Sequence, residues 1–272
     1  MMRIIIISVI ITLLAFGCKS YYVQVFETKA TNIKVEDEFY VFENDSLKIT
    51  YSFWAQKGLM AFVIYNKLDK PLYVDWKKSS YIDNSVKLNY WVDEEKIKSL
   101  AVYGSYYYAG PLLKPGYAIS KTDGVSVSST IKVERITFIP PASNYYRSQF
   151  YILPIDFFKL DIRTTDYKEI PRNDNPKRKT KVYEKSYSIK DSPLIFRNFL
   201  TFSFSEDFKT EFYVDNKFFI SNIKVMDRRH FKYPKREESR RFYLRDEKGN
   251  LQMVSPYRKE SSFYLYIPMY WL

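Results

Sequence analysis

The sequence predicts an all-β protein, and three observations carry that expectation. Aromatic side chains are abundant, with 26 Tyr, 21 Phe and 4 Trp in 272 residues, and such residues suit the pleated, half-buried surface of a strand. Apolar and polar residues alternate with a period of two, most cleanly over Leu47–Trp54. There Leu47, Ile49, Tyr51 and Phe53 face one way while Lys48, Thr50 and Ser52 face the other, the pattern of a strand with one packed and one wet face. Turn-forming clusters such as Gln56-Lys57-Gly58 and Asn66-Lys67-Leu68-Asp69-Lys70-Pro71 punctuate these runs,.

Taken in order, residues 19–37 read as a short lead in which Tyr21–Phe26 forms a first strand before a Thr-, Asn- and Lys-containing tether. Glu38–Phe42, Leu47–Trp54 and Leu59–Tyr65 follow as strands, the last two joined as a hairpin through Gly58,. Leu72–Trp76 and Ser79–Ile82 come next, and Asp83-Asn84 ahead of Val86–Trp91 suggests another hairpin. Residues 93–98 read as a polar loop or a helical turn, and 104–129, rich in Gly, Pro, Ser and Tyr, as loop. Thr130–Ile139 is a strong strand that Pro140-Pro141 stops, because proline cannot donate to a ladder,. Phe150–Ile155 is one more strand.

Residues 163–181 combine Pro171, Asn173-Asp174-Asn175, Pro176 and the run Lys177-Arg178-Lys179 with Lys181. Like charges repel and extend, so this stretch is expected to be a basic surface loop or linker. Beyond it, Val182–Ile189, Phe199–Phe204, Glu211–Val214, Phe218–Val225, Arg241–Leu244 and Phe263–Ile267 read as strands. The layout of strand, Asn-Lys turn, Pro and strand over residues 38–92 resembles immunoglobulin-like sandwiches of envelope proteins,. The expected organisation is therefore a signal peptide (1–17), a lipidated tether with the first strand (18–37) and an immunoglobulin-like β-sandwich (38–162). The linker and a second β-rich region (182–272) follow, the latter either a separate domain or an extension of the sandwich.

The N-terminus carries an address. One charge, Arg3, precedes an apolar run from Ile4 to Phe16, and Gly17-Cys18 closes it, the order of a secretory signal with a small residue before the cut. The run is 13 residues, short of the roughly 20 that span a bilayer as a helix. Cys18 is the only cysteine. The stretch Leu13-Leu14-Ala15-Phe16-Gly17-Cys18 resembles the lipobox of a bacterial lipoprotein, which implies that Cys18 is acylated and begins the mature chain. Ala15 stands where that motif usually has Leu. With Tyr21-Tyr22, Phe42-Glu43-Asn44-Asp45, Tyr51-Ser52-Phe53-Trp54 and Asn66-Lys67-Leu68-Asp69-Lys70, the chain resembles Bacteroidota-type outer-membrane lipoproteins. That resemblance implies anchoring and brings no particular activity. Lys19, Ser20, Tyr21 and Tyr22 include no acid, which favours the periplasmic face of the outer membrane.

The full chain carries a formal charge of +12, which bears on attraction and solubility rather than on fold. In an envelope compartment the acidic partners are anionic lipid, lipopolysaccharide, glycan or protein, and nucleic acid is not expected. Catalysis has little to stand on. His230 is the only histidine and sits among Arg228, Arg229, Phe231 and Lys232, where it reads as exposed in a basic loop. Zinc needs Cys and His at fixed spacing, calcium needs clustered oxygens with a turn glycine, and Glu36-Asp37-Glu38 and Asp93-Glu94-Glu95 lack that glycine. No Gly-x-Gly pair occurs, so neither metal nor cofactor is expected.

Binding has better material. Tyr103, Tyr106, Tyr107 and Tyr108 fall in the loop-rich region, and Tyr145, Tyr146 and Arg147 follow the proline pair. Tyrosines on loops offer rigid amphipathic contact area. A basic segment with interleaved aromatics supplies Arg228, Arg229, Lys232, Lys235, Arg236, Arg240 and Arg241, a composition suited to phosphates and carboxylates. The expected function is non-enzymatic: a binding or structural role towards another envelope protein. The alternatives are a glycan-binding accessory lipoprotein and a hydrolase whose carboxylates lie far apart in sequence.

Overall fold

The computed structural model describes residues 21–91, 134–153, 162, 165–235, 242–245 and 250–268. In chain order the strands are β1 (Tyr21–Ala30), β2 (Lys34–Glu36), β3 (Phe39–Glu43), β4 (Leu47–Ser52), β5 (Leu59–Asn66), β6 (Leu72–Asp75) and β7 (Ser80–Asp83). Then come β8 (Val86–Asn89), β9 (Ile136–Ile139), β10 (Asn144–Tyr151), β11 (Tyr167–Pro171), β12 (Lys179–Ser186), β13 (Ile195–Ser203) and β14 (Glu211–Asp227). A five-residue helix, α1 (Arg228–Lys232), precedes β15 (Tyr243–Arg245), β16 (Leu251–Met253) and β17 (Ser262–Pro268). The protein is all-β, as the alternation and the aromatic content imply.

Local chemistry sets the hairpins. Asn44 accepts the backbone N–H groups of Ser46 and Leu47 on its side-chain oxygen at 2.9 Å, which folds β3 back into β4,. Asn84 and Ser85 both hold positive φ, 42° and 80°, the requirement of a two-residue hairpin turn between β7 and β8. Gly58 closes the β4–β5 turn at φ 67°, where an added Cβ would come within 2.9 Å of Phe263 Cγ. Buried Asn66 donates to Lys70 O and Ile139 O at 2.9 and 3.1 Å, tying its turn to the end of β9.

Two sheets result. The smaller is a five-stranded sheet in the order β10-β5-β4-β3-β2. The larger has ten strands and is organised by β14, which is 17 residues long. Along one edge β14 pairs first with β13 and then with β12, and along the other it pairs with β1, which in turn pairs with β17. The far edge of β13 is shared by β6 and β7, and β9 and β8 extend these. Strands from both sides of the expected linker thus lie in one sheet and one core cluster.

The core between the sheets is filled with rings. Phe53 of the smaller sheet's turn meets Phe196 and Phe218 of the larger edge-on at 5.4 and 5.0 Å, and Tyr81 stacks on Phe150 at 5.3 Å,. One polar node sits inside it. Asn198 and Asn216 face each other across β13 and β14, and both donate from Nδ2 to the phenol oxygen of Tyr51 on the opposite sheet, at 3.1 and 2.8 Å. Tyr90 donates to Asn198 Oδ1 at 2.7 Å. All four residues are buried. A second, smaller cluster of Val23, Val25, Trp54, Met226 and Phe231 lies on the other face of β1 and β14. The segment after β16 is pinned near it by Glu260, which accepts from Ser52 Oγ and is clamped by Arg258 at 2.8 and 2.7 Å.

Four expectations need adjustment. The two strands expected at Glu211–Val214 and Phe218–Val225 are one, because inward Asn216 finds partners in the core while Asp215 and Lys217 take the outer face. The stretch 163–181 is not simply a loop: it contains β11 and the start of β12, joined by a tight turn in which Arg172 N–H donates to Arg178 O at 2.8 Å. The strand expected at Phe150–Ile155 lies earlier, at Asn144–Tyr151. Of the strand expected at Thr130–Ile139, Ile136–Ile139 is a strand, Glu134 and Arg135 are not, and residues 130–133 lie outside the described residues.

Tyr51→Phe keeps the ring and removes the acceptor shared by Asn198 and Asn216. The expected loss is about 1–3 kcal/mol in urea unfolding at unchanged m-value, the cost of leaving buried donors unmade. A loss below about 0.5 kcal/mol contradicts a structural role for the node.

Candidate functional site

The outer face of the larger sheet carries an aromatic surface. Along β13, Phe196, Asn198, Leu200 and Phe202 enter the core, so Arg197, Phe199, Thr201 and Ser203 take the opposite face,. Register then places Tyr213 of β14 opposite Thr201, and Tyr73 of β6 opposite Ser203, with Phe138 of β9 beyond Tyr73. The rings of Phe199 and Tyr213 stack at 5.3 Å, and those of Tyr73 and Phe138 meet edge-on at 5.6 Å. Tyr213 is 69% exposed and Phe138 51%, large values for rings that usually go inside. Ion pairs lie among these rings: Glu211, opposite Ser203 and next but one to Tyr213, takes Lys78 between the two ring pairs, and Asp215, opposite Phe199, takes Arg197. Beside the latter opens a shallow cleft of about 260 Å³ lined by Ile82, Asn84, Ser85, Ile195, Arg197 and Lys217.

The residues singled out from sequence fall elsewhere. Cys18, Tyr103, Tyr106, Tyr107, Tyr108, Arg236, Arg240 and Arg241 lie outside the described residues. Tyr145, Tyr146 and Arg147 are not on a loop but on β10. The Tyr145 ring lies 5.6 Å from that of Trp76, and the Arg147 guanidinium covers Trp76 at 4.0 Å and Tyr90 at 5.2 Å, a half-buried cation–π contact,. Arg147 also donates to Tyr90 O at 2.8 Å and to Gln149 Oε1 at 2.7 Å. A register shift after Ser148 lets Phe150 turn inward as well. Burial raises the Tyr146 phenol above its ordinary value. Tyr145 and Arg147 thus spend their contact area on the core's own margin.

The described part of the basic segment begins with a helix rather than a loop. Arg228, Arg229 and Lys232 lie on α1, and Lys235 follows it, all exposed, while His230 and Phe231 turn inward. Asp227 caps α1 by accepting Arg229 N–H at 2.7 Å,. His230 is buried rather than exposed. Its Nδ1 accepts the backbone N–H of Asn173 at 3.2 Å, so the remaining nitrogen Nε2 carries the proton of a neutral ring and donates to Tyr257 Oη at 2.7 Å,. Asn173 returns a bond to His230 O at 3.0 Å. The ring therefore joins three segments: the β11–β12 turn, α1 and the approach to β17. Burial lowers its pKa, and Asp227 and Asp174 oppose that shift only in part.

The aromatic face escaped sequence reasoning, although a signal existed. Phe196, Phe199, Phe202, Phe204, Phe212 and Tyr213 place rings at both parities of neighbouring strands, so some must leave the core on a sheet packed on one side. Among the described residues, no group of three or more His, Cys, Asp or Glu is arranged to hold a metal, and no helix is long and apolar enough to cross a membrane. No protein-family model, curated protein or solved structure matches the chain.

Folding holds His230 neutral, whereas in the unfolded chain it protonates near its ordinary pKa of 6.5. Below that pH the unfolded state binds more protons, so this contribution to stability is present at higher pH and lost as pH falls through about 6.5. Melting temperature should therefore drop between about pH 7.5 and about pH 5.5, and His230→Gln should shrink the drop. An equal drop in the variant assigns the acid sensitivity elsewhere.

Proposed function

We propose that the chain is a lipid-anchored envelope protein, non-enzymatic, that engages another envelope protein through the outer face of its larger sheet. The observation that carries this reading is the pairing of Phe199 with Tyr213 and of Tyr73 with Phe138 on one exposed face. Exposed aromatic rings interleaved with self-neutralised ion pairs suit contact with another protein, where Tyr and Phe are enriched. Among the described residues this face is broad and carries a shallow cleft, a shape that suits a macromolecule,.

Position supports the same reading. Tyr213 lies fourteen residues before Asp227 on β14, a path of about 46 Å at the rise of an extended strand. Asp227 pairs with Tyr22 at the start of β1, four residues after Cys18. An acyl chain on Cys18 would hold one end of β14 at the membrane and leave the aromatic face towards the other. The periplasmic side of the outer membrane is the proposed location.

Tyr213→Ala with Phe138→Ala tests the face, because both side chains are exposed and their loss should change stability by less than about 0.5 kcal/mol. Pull-down from detergent-solubilised envelope with full-length protein should retain a stoichiometric protein partner, and the double variant should lose it about tenfold or more. Equal retention by the variant rejects this face. Recovery of glycan in place of protein moves the reading to a glycan-binding accessory role.

A further inference from the structure

We infer that the end of the larger sheet nearest Cys18 is a seat for anionic membrane headgroups, assembled from α1 and the tip of the β11–β12 hairpin. Its placement against a membrane rests on the lipid-anchored reading above, while its charge stands on the geometry alone. The hairpin overhangs the sheet: Tyr183 lies opposite Val225, so Lys181 comes level with Asp227 at the end of β14, and Lys179, Thr180 and the turn at 172–178 project past it. Asn173 secures that projection to α1 through both a ring nitrogen and the carbonyl of His230. Two basic segments separated by about fifty residues of sequence are thereby brought to one end.

The hairpin contributes Lys177, Arg178, Lys179 and Lys181, and α1 with its following turn contributes Arg228, Arg229, Lys232 and Lys235, all exposed. None of these eight makes an ion pair with another described residue. Of the acids nearby, Asp174 pairs with Arg172 and Asp227 caps α1, while Glu169, opposite Lys181 across the hairpin, offsets one of the eight charges. Farther along β14, by contrast, Lys224 is matched by Glu27 and Glu184 at 2.9 and 3.4 Å. An unmatched cluster repels itself and favours whatever anion neutralises it. Arginine forks fit phosphate oxygens in particular.

Two further observations select a membrane as the source of that phosphate. Tyr22 faces Asp227, and Tyr21 stands three residues after Cys18. Three residues span at most about 11 Å, so an acyl chain on Cys18 cannot leave this end far from the headgroups. Tyr233 is 37% exposed with the Lys232 ammonium 5.5 Å from its ring, and Arg228 lies 5.6 Å from the Tyr266 ring. Tyrosines beside cations are the residues that settle at a headgroup boundary.

Full-chain Cys18→Ala, which cannot be acylated at that position, is sedimented with phosphatidylcholine vesicles and with vesicles that also contain phosphatidylglycerol. The apolar run Ile4–Phe16 contributes to both and cancels in the ratio. The expected ratio favours anionic vesicles by about tenfold or more and collapses in high salt. Reversing Lys179, Lys181, Arg228 and Arg229 to Glu should bring it near one, and Gln at the same four positions should give an intermediate value at an unchanged urea midpoint. A ratio near one in the parent, or one that survives both variants, overturns the headgroup seat. Intact mass of wild-type protein from envelope tests the anchor separately. An unmodified Cys18 overturns lipidation without touching the vesicle ratio.

Discussion

The phenol of Tyr51, held between Asn198 and Asn216, is the contact on which the architecture depends. It is the point at which a side chain of one sheet is specified by hydrogen bonds from two strands of the other. Ring packing alone tolerates sliding, because one aromatic surface fits another in several ways. Buried amides do not, since a strand slip of one residue would send Asn198 and Asn216 to the outer face and leave Tyr51 unpaired in the core. Burial raises the phenols of Tyr51 and Tyr90 far above the physiological range. The node is therefore a neutral one, and acid acts on the fold at His230 rather than here.

That constraint also decides the outer face. With Asn198 and Asn216 inward, Phe199 and Tyr213 are outward by the two-residue period of the strands,. The aromatic face is thus the reverse side of the same register. The opposite end of β14 has a different character, with α1 and the hairpin turn gathering cations around Tyr22 and Asp227. One strand joins an aromatic region to a basic region, the polarity that the proposed anchored binding role requires.

Strands whose faces differ sharply were legible in the sequence. Leu47 to Phe53 alternate cleanly, and β4 lies there with Leu47, Ile49 and Tyr51 buried. The Asp83-Asn84 hairpin follows from residues that tolerate positive φ. What resisted reading depends on partners distant in the chain. Asn216 resembles a turn residue until Tyr51, 165 positions away, supplies its bond. His230 in a row of Arg and Lys resembles an exposed residue until Asn173 and Tyr257 close on it. Arg147 reads as a surface cation because nothing local announces that Trp76 and Tyr90 lie beneath it. Of the candidate site, the basic segment was visible as composition, whereas its union with the β11–β12 turn and the exposed aromatic pairs required sheet register.

Lipid-borne quenching of a fluorophore is the most direct test of two functional ends on one strand. With Cys18 acylated as proposed, no other thiol is present, so Lys232→Cys and Tyr213→Cys can each be labelled singly in full-length protein reconstituted into bilayers that carry a headgroup quencher. The expected result is strong quenching at position 232 and almost none at position 213. Equal quenching at both positions, or the reverse order, contradicts an orientation that holds the basic end on the membrane and the aromatic face away from it.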